Sequence, residues 1–340
     1  MPINPFDNDA FSTISLTTRA NESDRHPFVE SFLAGLFETT SITDTVAMLE
    51  RGESGIEIIE AGTRETLSPS SSLGRSKTAK YVGSTKLGRV VSVSPSDIQS
   101  VRQLGGAEAV ETLQSIIDSK QTPVFRSIDH THEYLRLGAL RGVQLDADGV
   151  TPLNDFYNLF GIAQPGEVYF ELDATSPDPQ AIRKTCTTVV RTIRNSLGDL
   201  VAPNLRVGAV IGDDFSDGLR YAEETREAFQ RWEDLAQPEE AASLRPFRYG
   251  GIDFYPYRGA GLAADEARFF PMGVPGMFRT VFTPADTVDF ANTLGVPRYV
   301  IPNEKDFNRG WEAEIMSFPI HYCLRPEALL GGRAGAAPSN

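Results

Sequence analysis

The side chains that could carry out chemistry form two small groups in this sequence. The first group contains the only two histidines that lie close together in the sequence. His130 and His132 lie beside Asp129 and Glu133. A zinc site needs three or four ligands that face one point. Residues two positions apart on a helix point in different directions, so these histidines are poorly placed to share a metal ion. We interpret them as histidines at the surface or at an interface.

The second group is acidic and follows an apolar strand in the run Gly212-Asp-Asp-Phe-Ser-Asp217. Carboxylates at such a position could hold metal ions, as they do in two-metal nucleases. In an extended chain, however, Asp213 and Asp214 would point apart, and Asp, Ser and Gly also form helix N-caps and strand-to-helix junctions. We therefore predict a capped helix start here. A metal-dependent enzyme that uses Asp213 and Asp214 is kept as an alternative hypothesis.

Other catalytic patterns are missing from the sequence. Asp146-Ala-Asp-Gly149 lacks the spacing and the terminal Glu of a calcium loop, and it predicts a hairpin turn instead. There is no Walker A loop, no glycine fingerprint of dinucleotide-binding proteins and no Gly-x-Ser-x-Gly motif. We therefore predict that the chain is not an enzyme and has no catalytic residues, no cofactor and no metal site.

Composition sets further bounds on the class of protein. The chain has 340 residues, of which 40% are hydrophobic and 23% charged, as in folded globular proteins. No run of about 18 apolar residues is present, so no membrane span is predicted. The N-terminus lacks the basic region and apolar core of a secretory signal. Cys186 and Cys323 lie in apolar runs, where we expect buried thiols suited to a reducing cytoplasm.

The charge of the chain is unevenly distributed around a net value of -14, which disfavours binding to nucleic-acid phosphates. Residues 61–95 hold six basic residues and one acidic residue, and residues 213–240 hold ten acidic and three basic residues. Opposite patches favour head-to-tail contacts between copies, although two solvated surfaces are the alternative. The predicted contact residues are Arg64, Arg75, Lys77, Lys80, Lys86 and Arg89 on the basic side, and Asp213, Asp214, Glu223, Glu224 and Glu227 on the acidic side.

The elements that carry these groups are predicted from the spacing of apolar residues. Residues 96–141 have helical spacing, with a possible N-cap at Ser96 and Asp97. Pro123 interrupts this stretch, and a proline inside a helix removes a hydrogen bond and clashes with the preceding turn. We therefore predict a kink or a break near Thr122 and Pro123.

Farther along the chain, helices and strands are mixed without regular alternation, which favours an α+β fold over a doubly wound sheet. An amphipathic helix begins at Pro179 and ends near Gly198, and its apolar face holds Ile182, Cys186, Val189, Ile193 and Leu197. Strands are predicted within residues 168–172, 206–211, 251–257, 266–283 and 312–324, and an acidic helix within residues 222–235.

The N-terminal third is polar. Residues 1–50 predict an extended arm with at most a short helix in the apolar run Phe28–Phe37. Residues 55–93 predict a long basic hairpin with strands at Ile56–Ile58, Tyr81–Val82 and Val90–Val93 and a tip at Ser68–Gly74. Such a hairpin has few apolar residues with which to build a core, so we expect an arm that becomes ordered on a partner.

Five motifs in the chain occur in the same order as in a known protein family. They are Asn4–Asp7, Tyr134–Gly142, Gly212–Phe215, Glu266–Arg279 and Arg325–Leu329. Together they resemble the signature of tailed-phage major capsid proteins of the lambda-type capsid protein E family. The longest motif combines aromatic residues, Gly and Pro with few reactive side chains, which suits an architectural protein.

This resemblance implies the Hong Kong 97-like capsid fold, an α+β fold with four parts. It implies an N-terminal arm at residues 1–54, an extended loop (a β-hairpin) at 55–95, a peripheral domain with a long spine helix at 96–172 and 266–333, and an axial domain at 173–265. A mobile tail at residues 334–340 would follow.

The resemblance also implies a function, namely the major capsid (head) protein of a tailed double-stranded DNA bacteriophage. Such a protein self-assembles into hexamers and pentamers of an icosahedral shell that encloses the genome and expands during DNA packaging. The implied partners are further copies of the chain, a separate scaffolding protein, a portal protein at one vertex, an optional decoration protein, and packaged DNA bound without sequence specificity. The implied location is the virion, after assembly in the host bacterial cytoplasm and without a membrane. An encapsulin-like cargo compartment is the alternative with the same fold. We predict no covalent cross-link between subunits.

Overall fold

The computed structural model describes residues 12–22, 32–52, 77–99, 108–174, 180–198, 205–235, 246–305 and 310–338. The helices in these ranges are α1 (Thr13–Glu22), α2 (Phe32–Leu36), α3 (Pro95–Gln99), α4 (Glu108–Arg141), α5 (Phe156–Phe160), α6 (Ala181–Leu197), α7 (Asp213–Tyr221) and α8 (Glu223–Leu235). The strands are β1 (Glu38–Ser41), β2 (Val46–Gly52), β3 (Lys77–Gly83), β4 (Leu87–Val93), β5 (Val143–Leu145), β6 (Pro152–Asp155), β7 (Val168–Tyr169), β8 (Arg206–Ile211), β9 (Phe247–Tyr249), β10 (Ile252–Pro256), β11 (Glu266–Met272), β12 (Phe278–Phe282), β13 (Tyr299–Glu304), β14 (Trp311–Ser317), β15 (Pro319–Cys323) and β16 (Leu330–Arg333).

The chain forms two compact units, each built from three segments. The first unit comprises residues 1–47, 82–138 and 278–322, and the second comprises residues 48–81, 139–277 and 323–340. Each unit therefore depends on contacts between segments that are distant in the sequence.

The first unit contains two three-stranded sheets. One has the order β1-β12-β15, with β1 parallel to β12, and the other has the order β13-β14-β4, with antiparallel neighbours. The second sheet packs its alternate apolar side chains against α1 and α4 in one core cluster. The buried members of this cluster are Leu16, Ala20, Val91, Val93, Ile117, Ile128, Val300, Trp311, Ala313 and Ile315.

The helix α4 is 34 residues long and continues through Pro123. Of the two outcomes expected at this proline, a break does not occur, and a kink stays a prediction. Proline removes one backbone donor, and hydroxyls near it bond to carbonyls in the preceding turn: Thr122 Oγ1 donates to the Asp118 carbonyl at 2.7 Å, and Ser127 Oγ donates to the Pro123 carbonyl at 2.9 Å. Hydrogen bonds of this kind favour a bent helix.

The second unit is centred on a six-stranded sheet with the order β7-β16-β11-β8-β10-β9. Its central strand β8 is parallel to β10 and antiparallel to β11, and five of its six residues are buried. The helix α6 confirms the predicted amphipathic helix, because all five residues of its predicted apolar face are buried and Gly198 ends it. The predicted strand at 206–211 is confirmed residue for residue.

The N-terminal third differs from its prediction in three ways. The helix α1 was not expected in a segment so rich in Thr, Ser and Asn. The strand β4 pairs with β14, so Val90–Val93 belong to a sheet of the first unit and not to the basic hairpin. The observed strand pair is β2 with β3. The expected strand at Ile56–Ile58 and the tip at Ser68–Gly74 lie outside the described residues.

The start of α3 is also displaced from its prediction. Ser94, not Ser96, precedes this helix, and its backbone N–H and hydroxyl both donate to Asp97 Oδ2 at 2.9 Å. Asp97 occupies the third helical position, so the arrangement resembles a capping box. Lys120 Nζ lies 2.5 Å from the same carboxylate oxygen. The hydrogen bonds from Lys120 and Ser94 lower the pKa of Asp97 to about 2.

Candidate functional site

The predicted basic contact residues differ in their exposure and in their contacts within the chain. Lys80 on β3 is half-buried, and Arg89 on β4 is exposed. Lys86 is exposed but places its Nζ 2.6 Å from Glu314 Oε1 of the first unit, so part of its charge is offset within the chain. The backbone of Lys77 lies in β3. Arg64 and Arg75 lie outside the described residues.

The predicted acidic contact residues lie on α7 and α8. Asp213 and Asp214 occupy the first turn of α7, where the partial positive charge of the helix N-terminus favours carboxylates. The predicted helix start is confirmed, and its N-cap is Gly212, which has no side-chain hydrogen bond. The two aspartates favour this helix start through their charge and are not themselves the N-cap. Glu223 and Glu227 on α8 are exposed. These four side chains form an acidic surface of the second unit.

Glu224 differs from these four because its carboxylate is used inside the second unit. It accepts hydrogen bonds at 3.0 Å from the backbone N–H groups of Ile182 and Arg183, and a third at 2.9 Å from the Tyr249 hydroxyl. Glu224 therefore satisfies free donors in the first turn of α6. Burial and the bond to Glu224 raise the pKa of Tyr249 to about 12. The structure thus gives Glu224 an internal role, and its predicted part in a contact between copies stays a prediction.

The glycine of the Gly212–Phe215 motif is required by close packing. Its N–H donates to the Glu266 carbonyl at 2.9 Å, and a Cβ at this position would lie 2.3 Å from the Ala263 carbonyl oxygen. Three residues later, the side chain of Phe215 is fully buried in the second unit. This motif therefore fixes the junction between β8 and α7.

The Tyr134–Gly142 and Glu266–Arg279 motifs meet at a buried carboxylate of the second unit. Glu266 is 2% exposed. Arg141 Nε donates to its Oε1 at 3.1 Å and Arg141 Nη2 to its Oε2 at 2.5 Å, while Arg268 Nε donates to Oε1 at 2.5 Å. The Ala263 N–H adds a bond of 3.0 Å, and Arg141 also donates to the Gly261 carbonyl. Burial acts to raise the pKa of Glu266, but the two guanidinium groups overcome it and lower the pKa. Sequence reasoning missed this cluster, although charged residues at the start of an apolar strand were a signal.

The histidines are arranged differently from the prediction in one respect. His130 is exposed and His132 is 5% exposed, so the two point apart as expected, but His132 is not a surface residue. In the first unit its Nδ1 lies 3.0 Å from His321 Nε2, and its Nε2 lies 3.0 Å from Ser317 Oγ. His321 Nδ1 in turn lies 2.9 Å from Thr280 Oγ1. His321 is far away in the sequence, so spacing gave no signal for this pair.

Reactive side chains are scarce in the part of the chain that the structure describes. Cys186 and Cys323 are both buried free thiols, as predicted. Burial raises the pKa of Cys186 to about 12 and also raises that of Cys323, so neither is a ready nucleophile. Within the described ranges, no three His, Cys, Asp or Glu side chains are grouped as metal ligands would be. None of the described helices is long and apolar enough to cross a membrane.

Comparison with solved structures shows which fold the chain has. A putative capsid protein of a prophage of Escherichia coli CFT073 is 12% identical, with a TM-score of 0.58 over 95% of this chain and 99% of that one. The capsid of Ralstonia phage GP4 is 11% identical, with a TM-score of 0.51 over 90% of this chain and 88% of that one. The predicted α+β, Hong Kong 97-like capsid fold is therefore confirmed.

The family follows from the sequence comparisons. A family model described as "Phage major capsid protein E" matches residues 12–334. The major capsid protein of Salmonella phage Felix O1 is 25% identical to this chain, over 89% of this chain and 90% of its own length. The chain belongs to the phage major capsid protein E family and is a phage major capsid protein, as the five motifs predicted.

Proposed function

We propose that this chain builds the shell of a tailed double-stranded DNA phage as hexamers and pentamers on an icosahedral lattice. The observation that carries this proposal is the match to the capsid protein E family across residues 12–334. A shell built by repetition gains stability from many weak contacts acting together. The charged clusters at Asp97 and Glu266 and the Glu224 cap stabilise the described chain itself. The function proposed here is therefore assembly, without enzyme activity.

The proposal keeps the predicted domains and partners. We place the arm at residues 1–54, the extended loop at 55–95 apart from β4, which pairs with β14, the peripheral domain at 96–172 and 266–333, and the axial domain at 173–265. Assembly uses a scaffolding protein and a portal protein in the host cytoplasm, and a decoration protein where the phage encodes one. The packaged DNA makes no sequence-specific contacts, which agrees with the net charge of -14. Mature particles contain no covalent cross-links, so they yield monomers on a denaturing gel.

The acidic surface supports a refined contact between copies. Asp213, Asp214, Glu223 and Glu227 are exposed on α7 and α8, whereas Glu224 is engaged with the start of α6. On the basic side, Lys80 and Arg89 are the best candidates among the described side chains, because Lys86 already contacts Glu314. We place Arg64, Arg75 and Lys77 on the same basic side from sequence alone. Charges at the rim of a contact contribute mainly to the rate and the salt dependence of association.

A charge-reversal experiment tests this contact. Glu223→Lys combined with Glu227→Lys should block shell formation at low salt, as seen by electron microscopy. Lys80→Glu combined with Arg89→Glu in the same chain should restore shells, because the attraction is recreated with opposite signs. The matched control is Glu223→Gln with Glu227→Gln, which should weaken assembly less than reversal does. The proposed contact is wrong if the two glutamate-to-lysine changes leave assembly unchanged, or if the added changes at Lys80 and Arg89 restore no shells. Either result leaves the proposed capsid function intact if the unchanged chain forms shells.

A further inference from the structure

The buried histidine pair of the first unit is part of an unbroken line of hydrogen bonds. The line runs from Thr280 Oγ1 through His321 and His132 to Ser317 Oγ, with successive distances of 2.9, 3.0 and 3.0 Å. It joins four elements, because Thr280 lies on β12, His321 on β15, His132 on α4 and Ser317 on β14. His321 is 1% exposed, so the line is shielded from solvent.

The central contact of this line joins two ring nitrogens, and that limits how many protons the pair can hold. One of the facing nitrogens must carry a hydrogen and the other must accept it. A ring that is protonated on both nitrogens therefore requires its partner to stay neutral. The pair can hold one added proton and keep all three hydrogen bonds, with the hydroxyls of Thr280 and Ser317 both accepting. A second proton would set two N–H groups against each other at the central contact.

The charged groups around the pair do not favour a second positive charge. Burial and the positive charge of Arg136 on α4 lower the pKa of His321. Arg298, which precedes β13, lies around one small cavity with Asp129, His132 and Arg136. Of the nearby carboxylates, Asp129 Oδ2 lies 2.5 Å from Arg298 Nη2. These charges are thus already paired.

The second nearby carboxylate is also committed to an arginine, since Glu133 Oε2 lies 3.8 Å from Arg136 Nη1. On the strands, Arg279 and Glu38 are paired with each other on β12 and β1, at 3.8 Å. Successive side chains of a strand point to opposite faces, so Arg279 points away from the face that carries Thr280. The walls next to the histidines are aromatic, with Phe37 against His321 and Phe282 against His132.

We propose that the His132–His321 contact is an acid-sensitive clasp, which holds α4 on the β1-β12-β15 sheet until acid places a second proton on the pair. Burial, Arg136 and His132 lower the pKa of His321 well below its ordinary value. The unfolded chain takes up these protons as the pH falls through about 6.5. The contribution to stability is therefore complete above that pH and is lost below it. The clasp is a property of the subunit and does not depend on how subunits assemble.

Urea unfolding of the purified chain at pH 7.5 and 5.5 tests the clasp. Trp311 is 2% exposed in the first unit, and a Trp232→Phe background leaves it as the sole tryptophan to report on that unit. Each histidine that stays neutral in the folded chain should raise the unfolding equilibrium constant about tenfold between these two pH values. The expected rise is between about tenfold and about a hundredfold, depending on whether the folded pair holds one proton or none.

Two variants separate this effect from the other titrating groups. His132→Gln with His321→Gln keeps a donor and an acceptor at each position, but the new side chains do not titrate. The part of the rise in the unfolding equilibrium constant that comes from the histidine pair should therefore disappear. His130→Gln changes an exposed histidine two positions away on the same helix and should keep the whole rise. The proposal would be overturned if the unfolding equilibrium constant of the double variant rose as much between pH 7.5 and 5.5 as that of the unchanged chain. It would also be overturned if His130→Gln abolished this rise.

A second measurement needs no change at the clasp and covers the case in which the double variant does not fold. Exchange of the ring C2 hydrogen, followed by mass spectrometry, reports the titration of each histidine in the intact chain. At least one of His132 and His321 should titrate well below about 6.5, the ordinary value for histidine, and the exposed His130 provides the comparison in the same chain. Titration of both buried histidines together with His130 would contradict the clasp.

Discussion

Arg141 donates two hydrogen bonds to the buried carboxylate of Glu266, from Nε to Oε1 at 3.1 Å and from Nη2 to Oε2 at 2.5 Å, although 125 positions separate the two residues. A carboxylate removed from water is costly unless its lone pairs are satisfied, and here Arg268 and the Ala263 N–H supply the remaining donors. The pair connects the C-terminal end of α4 to the first residue of β11. Two of the family motifs are therefore explained by one electrostatic cluster.

Glu266→Gln should destabilise the chain by about 3 kcal/mol, because it leaves two guanidinium groups without their buried counter-ion. Chemical unfolding at neutral pH measures this change. Glu227→Gln is the matched control, since Glu227 is exposed on α8 and its change should cost less than about 0.5 kcal/mol. Similar values for the two variants would show that the Glu266 cluster is not important for stability.

Glu224→Ala should cost about 1 kcal/mol, which is typical for the loss of a side chain that satisfies the first turn of a helix. The neighbouring Glu223→Ala removes the same charge from α8 but breaks no bond to α6. The difference in stability between the two variants therefore measures the contribution of the hydrogen bonds from Glu224 to α6. Thermal unfolding and amide exchange of Ile182 and Arg183 are the measurements. Unchanged protection of those two amides in Glu224→Ala would contradict the internal role assigned to Glu224.

Gly212→Ala should cost about 2 kcal/mol or more, because the new methyl group would overlap backbone carbonyls that cannot move independently. Gly166→Ala serves as the control, because nothing lies within 4 Å of a Cβ at that position and its backbone is not left-handed. Comparison of urea midpoints is sufficient. A harmless Gly212→Ala would mean that the β8–α7 junction is looser than the structure indicates.

Pro123→Ala should stabilise the chain by about 1 to 3 kcal/mol, since alanine restores a helical N–H and removes the clash with the preceding turn. Ala139→Pro places a new proline at a buried position of the same helix and should destabilise the chain, because it removes a helical N–H. Unfolding of both variants and of wild type measures the effect. Destabilisation by Pro123→Ala would indicate that the first unit is packed around a bend at this proline.

Local patterns predicted the elements whose stability is mostly local. The apolar face of α6 and the strand β8 follow directly from periodicity, because each buries one continuous set of side chains. The helix α1 was missed because Thr, Ser and Asn are weak helix formers. It is stabilised by tertiary contacts, including burial of Leu16 and Ala20 and the bond between Thr17 Oγ1 and the Val300 N–H.

The polar clusters could not be predicted for a related reason. His132 and His321 are separated by 189 positions, and nothing in the spacing around either residue indicates the other. Glu224 was predicted as a surface charge because helix periodicity does not show which of three neighbouring glutamates faces α6. By contrast, five motifs in family order predicted the fold and the family, because they sample nearly the whole chain.

Electron microscopy of the purified protein, expressed alone and then with the genes that flank it, tests whether the chain assembles into a shell. Closed polyhedral shells, or tubes with a lattice of capsomers, are expected under at least one salt or scaffold condition. A discrete monomer or dimer under every condition would contradict assembly into hexamers and pentamers. An assay of Asp213→Ala for lost hydrolysis would then be the next experiment, because it addresses the enzyme alternative.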